Sequence, residues 1–540
     1  MSPGARGTAL IVLLWAGVSG PFLGKAFHID DTVHVLQAEH IAVNPTHPLD
    51  LEIFWFEWPE WLASSNPVTP PVWPYELAGA VVLAGGVHEV VLNVLAALHL
   101  LVLALAVYHL AGWVTGRPLL AAVLVLTSPA AVVGRNVMLD IPMMSYLVSG
   151  LAVAVAGSER QRARLCVLGA LLVGISSVTK LPGLVGLPAL FGYLVLSRRP
   201  RQLPSLVVAL LPIFLWYLYQ LAATGGIDIL RPRGGGGFVP QHSLGTSARV
   251  AADHAIFWGG AIFTGHLFLV ALMARWPAWP VGLAPLAALG LAGFSPIEPG
   301  ETARVFLRLA FLAGGVGLFA GAAAGARRLW LAGGAKRRLA GLLMIWCVAQ
   351  FGFAVAGLWE MNVRFAFMSA VPATLLCLAE IEWLTARATA GGRAALAQSV
   401  ALVLGVVVSL SLGWEDAEWA CGYRRIAREV ASDSAGKRVW FVGHWGFQHY
   451  ATASGLAAYI PRDDEIVPGD LMVVPLNAAR QDIPESVMDR LTVLDRRPIV
   501  PVLPVRTMGG GGGFYSTGWG PLPWGWSREE AEVVVVARYE

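Results

Sequence analysis

Charge is scarce in this sequence. Only 14% of the 540 residues are Asp, Glu, Lys or Arg, against 56% hydrophobic, and the mean hydropathy is +0.63. A water-soluble chain of this length has no need of so much apolar surface, so a soluble globular fold is excluded. The formal net charge of +3 is small and spread along the chain, which gives no sign of a nucleic-acid partner. Cysteine is equally sparse, at four. Cys166, Cys347 and Cys377 fall in apolar runs, and Cys421 stands alone in the polar C-terminal part, so that part has no internal disulfide. Repeats of 20–50 residues are missing, which excludes solenoids and propellers. The first apolar run begins near Arg6 and lacks a small-residue cleavage site, so a retained anchor is expected rather than a signal peptide.

What is present is a series of apolar runs of the length that crosses a bilayer as helix. We read thirteen spans, near 7–24, 88–112, 118–134, 139–157, 163–178, 181–197, 205–223, 254–274, 278–294, 305–326, 339–358, 365–386 and 395–413. The fold class predicted is mainly α and polytopic. With the N-terminus in the cytoplasm, Arg117, Arg160, Arg162, Arg164, Arg198, Arg199, Arg201, Arg275, Arg327, Arg328, Lys336, Arg337, Arg338, Arg387 and Arg393 all fall in inner loops. The opposite loops hold nearly all the acidic groups of the membrane region, including Asp30, Asp31 and Asp140. An odd number of spans then places the C-terminus outside.

Two domains are expected: a transmembrane part, 1–413, with a first outer loop at 25–87, and an extracytoplasmic tail, 414–540. The tail alternates a helical stretch near 415–432 with the β-prone runs "RVWFVG", "DLMVVP", "PIVPVLPV" and "EVVVVARYE", the pattern of a small α/β domain. The five glycines in "TMGGGGGFYSTGWGPLPWGWS" predict a loop.

The chemistry concentrates in "FHIDDTVH", residues 27–34. Carboxylates at a membrane boundary are costly unless they serve a purpose. Asp30 and Asp31 also suit a solvated helix N-cap. Asp140, in "RNVMLDIPMM", adds a third carboxylate on the same side, and a cap does not explain the neighbouring Arg135.

These stretches carry a resemblance. "HIDD", a long loop, "NPVTPPVWPYELA", "RNVMLDIPM" and "TKLPGLVGLPAL" occur in the order found in membrane glycosyltransferases of the GT-C superfamily. The sequence resembles bacterial relatives of the protein O-mannosyltransferases and of the lipid A aminoarabinose transferase, best over residues 8–200. "NVRFAFMSAVPA" at 362–373 and "GHWGFQHY" at 443–450 resemble later elements less specifically. The resemblance implies a polyprenyl-phosphate–sugar donor in a bacterial plasma membrane. It implies transfer to a glycan, lipid or protein acceptor on the outer face, usually with inversion. Asp30 then matches the first acid of the family's pair, the general base. Asp31 matches the second acid, Asp140 the Asp of Asp-x-Pro, and Lys180 the Lys of Thr-Lys. No cofactor is implied.

Elementary chemistry supports such roles. A positioned carboxylate takes the proton of an attacking hydroxyl, worth about 10²–10⁴-fold. The leaving phosphate gains charge and needs cations at membrane level. Lys180, Arg364 and Arg135 are the candidates, with snorkelling to headgroups as the plainer explanation for each. His28, Asp30, Asp31 and His34 are metal-ligand types in one stretch, but their spacing fits no zinc pattern and no metal is expected. His34, His444 and Trp445 are candidates for an acceptor or lid role, with Trp445 and Phe447 able to stack on a sugar. A packed aromatic loop suits "HWGFQH" as well. The runs Gly234–Gly237 and Gly509–Gly513 suit either mobile flaps or loops without a role. The competing functions are a transporter or flippase, which would place its charges at the midplane of paired halves, and a polymerase or ligase of surface glycans.

Overall fold

The computed structural model describes residues 3–55, 59–62, 70–227, 243–275, 301–358, 360–386, 391–461 and 464–540. Among the described residues, eight helices are long and apolar enough to cross a membrane: Gly4–Phe22, Glu89–Val114, Asp140–Glu159, Pro200–Thr224, Ala303–Ala332, Gly334–Gly357, Val363–Ala386 and Gln398–Asp433. A ninth arises if Leu244–Ala261 and Thr264–Met273, bent by 80°, count as one broken span. The chain is a mainly helical, multi-pass membrane protein. The run at 278–294 lies outside the described residues.

Several expected spans are interrupted, each for a local reason. The run at 118–134 divides into Pro118–Leu126 and Pro129–Val133. Ser128 caps the second piece by accepting from the Ala131 amide at 3.2 Å, and Pro129 takes its first position. A serine cap followed by proline starts a new helix and cannot continue an old one. The runs at 163–178 and 181–197 form shorter helices, Ala163–Ser177 and Gly186–Leu196, joined through Lys180 and a 3₁₀ turn, Leu181–Val185. At the other extreme, Gly391–Asp433 is one helix that runs through residue 413 without a break.

Small residues let the helices approach closely. A Cβ added at Gly150 would lie 2.7 Å from the Gly169 carbonyl oxygen, and one at Gly169 would lie 2.5 Å from the Ala154 nitrogen. Such backbone contact provides dispersion where lipid removes the hydrophobic drive. Polar pins add to it. Glu76 accepts from the Tyr146 hydroxyl at 2.6 Å and lies 2.7 Å from His99 Nε2, and Ser145 Oγ lies 2.8 Å from His99 Nδ1. Helix Val363–Ala386 is buried along most of its length and forms the centre of the bundle.

The stretch expected as the first outer loop, 25–87, has regular structure among its described residues. It holds helices Asp31–Val43 and Val72–Ala84 and a short antiparallel pair, Glu52–Phe54 with Pro59–Trp61. The C-terminal part builds a five-stranded mixed sheet in the order Ala457–Ala458, Val439–Phe441, Leu471–Pro475, Glu532–Tyr539, Leu491–Ile499. Its first two pairings are parallel and the last two antiparallel. The strand Leu471–Pro475 is buried throughout, as its unbroken apolar sequence requires.

The second glycine run is not a plain loop. Met508–Gly509 pairs with Gly512–Gly513 as a tight hairpin. Gly510 and Gly511 turn the corner at φ +56° and +90°, a region in which glycine alone is unstrained. A Cβ at Gly513 would sit 2.1 Å from the Gly520 carbonyl oxygen. Here glycine provides room for packed backbone rather than mobility. The run Gly234–Gly237 lies outside the described residues.

Candidate active site

The stretch from Phe27 to His34 bends at Ile29, whose φ is +50°, and then enters helix Asp31–Val43. Asp30 sits at the cap position but makes no side-chain cap hydrogen bond. As neighbours at the start of that helix, the two aspartates point in different directions. The Asp30 side chain is 40% exposed, whereas Asp31 is buried and accepts from the His28 amide at 2.9 Å.

Asp30 belongs to a group of four charges drawn from four segments. Lys180 Nζ lies 2.6 Å from Asp140 Oδ1. Arg364 Nη1 lies 3.5 Å from Asp30 Oδ2 and 3.6 Å from Asp140 Oδ2. Lys180 also stands 4.8 Å from the centre of the Phe365 ring. Each position follows from local structure. Asp140 begins a spanning helix, Lys180 occupies the break before Pro182, and Arg364 is the second residue of the central helix. His34, one turn after Asp30, feels the same four charges. Its burial lowers its pKa to about 4, so the ring is neutral near pH 7. Asp30, Asp140, Lys180 and Arg364 therefore balance two negative charges with two positive ones. Among the described residues, Arg364 Nε is buried without a hydrogen-bond partner.

A second polar group lies on the Asp31 side. Lys25 contacts both Asp416 and Asn136. The Tyr515 hydroxyl accepts from Asn136 Nδ2 at 2.6 Å and lies 3.0 Å from Asp416 Oδ2. Burial raises the Asp31 pKa to about 7, against the opposing pull of Lys25. It lowers that of His28 to about 4. Arg135 belongs here. It is 2% exposed, reaches the Asn93 carbonyl oxygen at only 3.5 Å, and exerts its charge on Asp31. The structure thus separates it from the pair with which the sequence grouped it.

The sequence reasoning missed Lys25, Asp416, Tyr515 and Glu360. A usable signal existed for Asp416, an acid three residues beyond the last apolar run, in "GWEDAEW". Nothing local marks Tyr515, which arrives from the far end of the chain.

"GHWGFQHY" packs against "FHIDDT" as a brace. Trp445 accepts from Thr32 Oγ1 through its carbonyl at 2.8 Å, and the Tyr450 hydroxyl accepts from the Phe27 amide at 2.8 Å. Gly446 is needed because a Cβ there would lie 2.0 Å from the Phe27 carbonyl oxygen. Phe447 is fully buried and has no face left for a sugar, which corrects that expectation. Trp445 is half-buried and meets Trp519 at 5.7 Å between ring centres. His444 is buried, and its amide donates to the Ala478 carbonyl at 2.7 Å. Among the described residues, no three His, Cys, Asp or Glu side chains gather as a metal site.

Comparison with known proteins gives one sequence match. Residues 68–221 match the family described as dolichyl-phosphate-mannose-protein mannosyltransferase, a stretch that includes Asp140 and Lys180. Among curated proteins, none matches the sequence. Solved structures are similar in shape as well, among them the three that follow. The archaeal oligosaccharyltransferase AglB from Archaeoglobus fulgidus, in complex with an inhibitory peptide and a dolichol-phosphate, has TM-score 0.48 and 15% identity over 83% of this chain. The chain spans 63% of that protein's length. ArnT from Cupriavidus metallidurans, bound to undecaprenyl phosphate, has TM-score 0.42 and 14% identity over 98% of this chain and 97% of its own. The arabinofuranosyltransferase AftD from Mycobacteria has TM-score 0.42 and 13% identity over 99% of this chain and 40% of its own. At such scores the likeness carries no functional argument. The sequence match is the finding that supports the resemblance to GT-C membrane glycosyltransferases, over residues 68–221 of the chain.

Proposed function

We propose that the protein transfers a sugar from a polyprenyl-phosphate-linked monosaccharide to a hydroxyl acceptor at the outer face of a bacterial plasma membrane, with inversion. The acceptor classes are glycan, lipid and protein. One observation carries the reading. A half-open carboxylate, Asp30, stands beside Arg364, which two acids hold only loosely at 3.5 and 3.6 Å.

In this mechanism Asp30 takes the acceptor's proton while the acceptor oxygen attacks the anomeric carbon. The bond from that carbon to the phosphate oxygen breaks, and the electron pair leaves with the phosphate. Inversion places base and leaving group on opposite faces of the sugar. Charge follows the same course. Protonation of Asp30 changes the four-group site from neutral to singly positive as the phosphate gains one negative charge. Lys180 meets it as a point charge, and Arg364 offers a planar fork. Asp140 holds both cations in place and is the second acid of the site. Asp31, buried and turned away, has no access to the acceptor. In this reading the two cations supply the charge that a divalent ion supplies elsewhere, and the rate is expected to be unchanged by EDTA.

The test is Asp30→Asn in purified protein in nanodiscs, with donor binding and transfer measured separately. The expected result is donor bound as in the wild type and transfer reduced by about 10²–10⁴-fold, the range of general base catalysis. Wild-type transfer by Asp30→Asn would overturn the assignment. Loss of donor binding would make Asp30 a binding group.

A further inference from the structure

The segment that carries Arg364 is bonded, almost residue by residue, to a strap from the C-terminal part of the chain. Glu360 Oε2 accepts from Ser516 Oγ at 3.0 Å, from the Thr517 amide at 2.9 Å and from Thr517 Oγ1 at 2.6 Å. Asn362 Nδ2 donates to the Tyr515 carbonyl at 3.1 Å, and the Val363 amide donates to the Phe514 carbonyl at 3.2 Å. Arg364 itself approaches the Tyr515 carbonyl at 3.5 Å, with its guanidinium 5.7 Å from the centre of the Tyr515 ring. The strap is anchored at its other side by Thr507, whose amide and hydroxyl donate to Glu415 at 3.0 and 2.9 Å, and by the Tyr515 hydroxyl on Asp416 and Asn136. Phe514 and Tyr515 are buried.

These contacts have an unusual distribution. Among the described residues, Arg364 Nε is buried without a hydrogen-bond partner, and the contacts of Arg364 to its two acids are long. A long, flexible side chain held so loosely by charge needs its backbone fixed if its fork is to be aimed. The backbone at 360–364 begins the central helix, whose first amides have no partner within the helix. The strap supplies one: the Phe514 carbonyl takes the Val363 amide.

We propose that residues 514–517 are positioning residues for Arg364, so that the C-terminal part of the chain completes the donor-phosphate site built by the membrane helices. This rests on the reading of Arg364 as a phosphate-binding cation. It gives the C-terminal part a defined task, which is to fix the aim of one guanidinium from outside the bundle. Tyr515 does so through its carbonyl and ring, while its hydroxyl ties the strap to the Lys25–Asp416 group. Thr517 does so through Glu360.

The test measures the dissociation constant of a fluorescent short-chain polyprenyl phosphate in nanodiscs for Tyr515→Phe, Thr517→Val and Thr517→Ser. Each is made alone and in an Arg364→Gln background. Tyr515→Phe and Thr517→Val should each weaken binding by about three- to tenfold, the range of one lost hydrogen bond. Thr517→Ser should restore it. In the Arg364→Gln background neither change should weaken binding further, because the group they aim is gone. Equal weakening in both backgrounds would show that the strap acts on the fold at large, and would overturn the proposal. So would unchanged binding in the single variants. If Arg364→Gln alone binds the phosphate as the wild type does, the phosphate role of Arg364 fails, and the positioning role fails with it.

Discussion

Helix Asp140–Glu159 carries a carboxylate at each end, and the two ends hold their cations differently. At the far end Arg338 grips Glu159 by both Nε and Nη2, at 2.7 to 3.1 Å, and Tyr193 donates to the same carboxylate at 2.6 Å. Every oxygen there is engaged. About 30 Å away along the helix, Asp140 is in close contact with Lys180 but only 3.6 Å from Arg364. The first arrangement is saturated and can only hold the bundle together. The second is electrically balanced yet geometrically incomplete, with an Arg364 Nε that has no partner among the described residues and a half-open Asp30 beside it. Incomplete pairing of buried charge is costly. Its presence at one end alone is what marks that end as a site.

Replacing the acid at each end should separate the two roles. Asp140→Asn is expected to reduce transfer by about 100-fold or more, since it releases both cations that meet the developing phosphate charge. Glu159→Gln should leave the rate near that of the wild type and cost about 1–3 kcal/mol of stability through a lost buried partner. Steady-state rates and thermal unfolding of both variants in one detergent would check this. A Glu159→Gln enzyme that folds normally and turns over slowly would erase the distinction.

A smaller effect is expected for Lys180→Ala. Arg364 remains, so donor binding should weaken by about tenfold, the scale of one charge-assisted hydrogen bond. A donor titration at fixed acceptor measures it, and an unchanged half-saturation point would count against the phosphate role of Lys180. The two ends also predict a topology. Cysteines placed beside Asp30 and beside Asp140 should label from one side of the membrane, and a cysteine beside Glu159 from the other.

The smallest effect belongs to Asp31. Its folded carboxyl keeps a proton up to about pH 7, whereas an unfolded one releases it near pH 4. Between those values the folded state binds more protons, so this group's contribution to stability is present below pH 4 and is lost as pH rises toward 7. Asp31→Asn removes the titration. The variant should melt higher than the wild type at pH 8, and the difference should narrow at pH 5. A lower melting point at pH 8 would show that the charged form is paired, with Lys25 as the partner. Transfer by Asp31→Asn should exceed that of Asp30→Asn.

Much of the site was legible because its residues sit where apolar runs stop. Asp30, Asp140, Lys180 and Arg364 each interrupt or border a hydrophobic stretch, and a charge there is conspicuous in a chain so poor in charge. Arg135 passes the same test and still lies elsewhere, since a border position does not tell which way a side chain turns. "GHWGFQHY" suits both ligand contact and a packed loop, because aromatics and histidines serve packing and recognition alike. The break at Ser128–Pro129 was readable from its serine and proline, but the run is apolar on both sides of it, so hydropathy alone joined the two pieces.

By itself the sequence determined that the chain enters a membrane repeatedly, because apolar length and charge placement are local quantities that need no partner. It determined which residue types carry the chemistry, and a resemblance to GT-C enzymes that a family match over 68–221 supports. Only the tertiary structure decided which of Asp30 and Asp31 is left half-open and which is buried. It alone brought Lys180 and Arg364, 184 positions apart by number, to the same carboxylate of Asp140. Tyr515 reaches Asn136 across 379 positions by the same means. Contacts of that separation depend on how whole helices pack, and packing is set by the shapes of many side chains acting together rather than by any stretch that can be read in order.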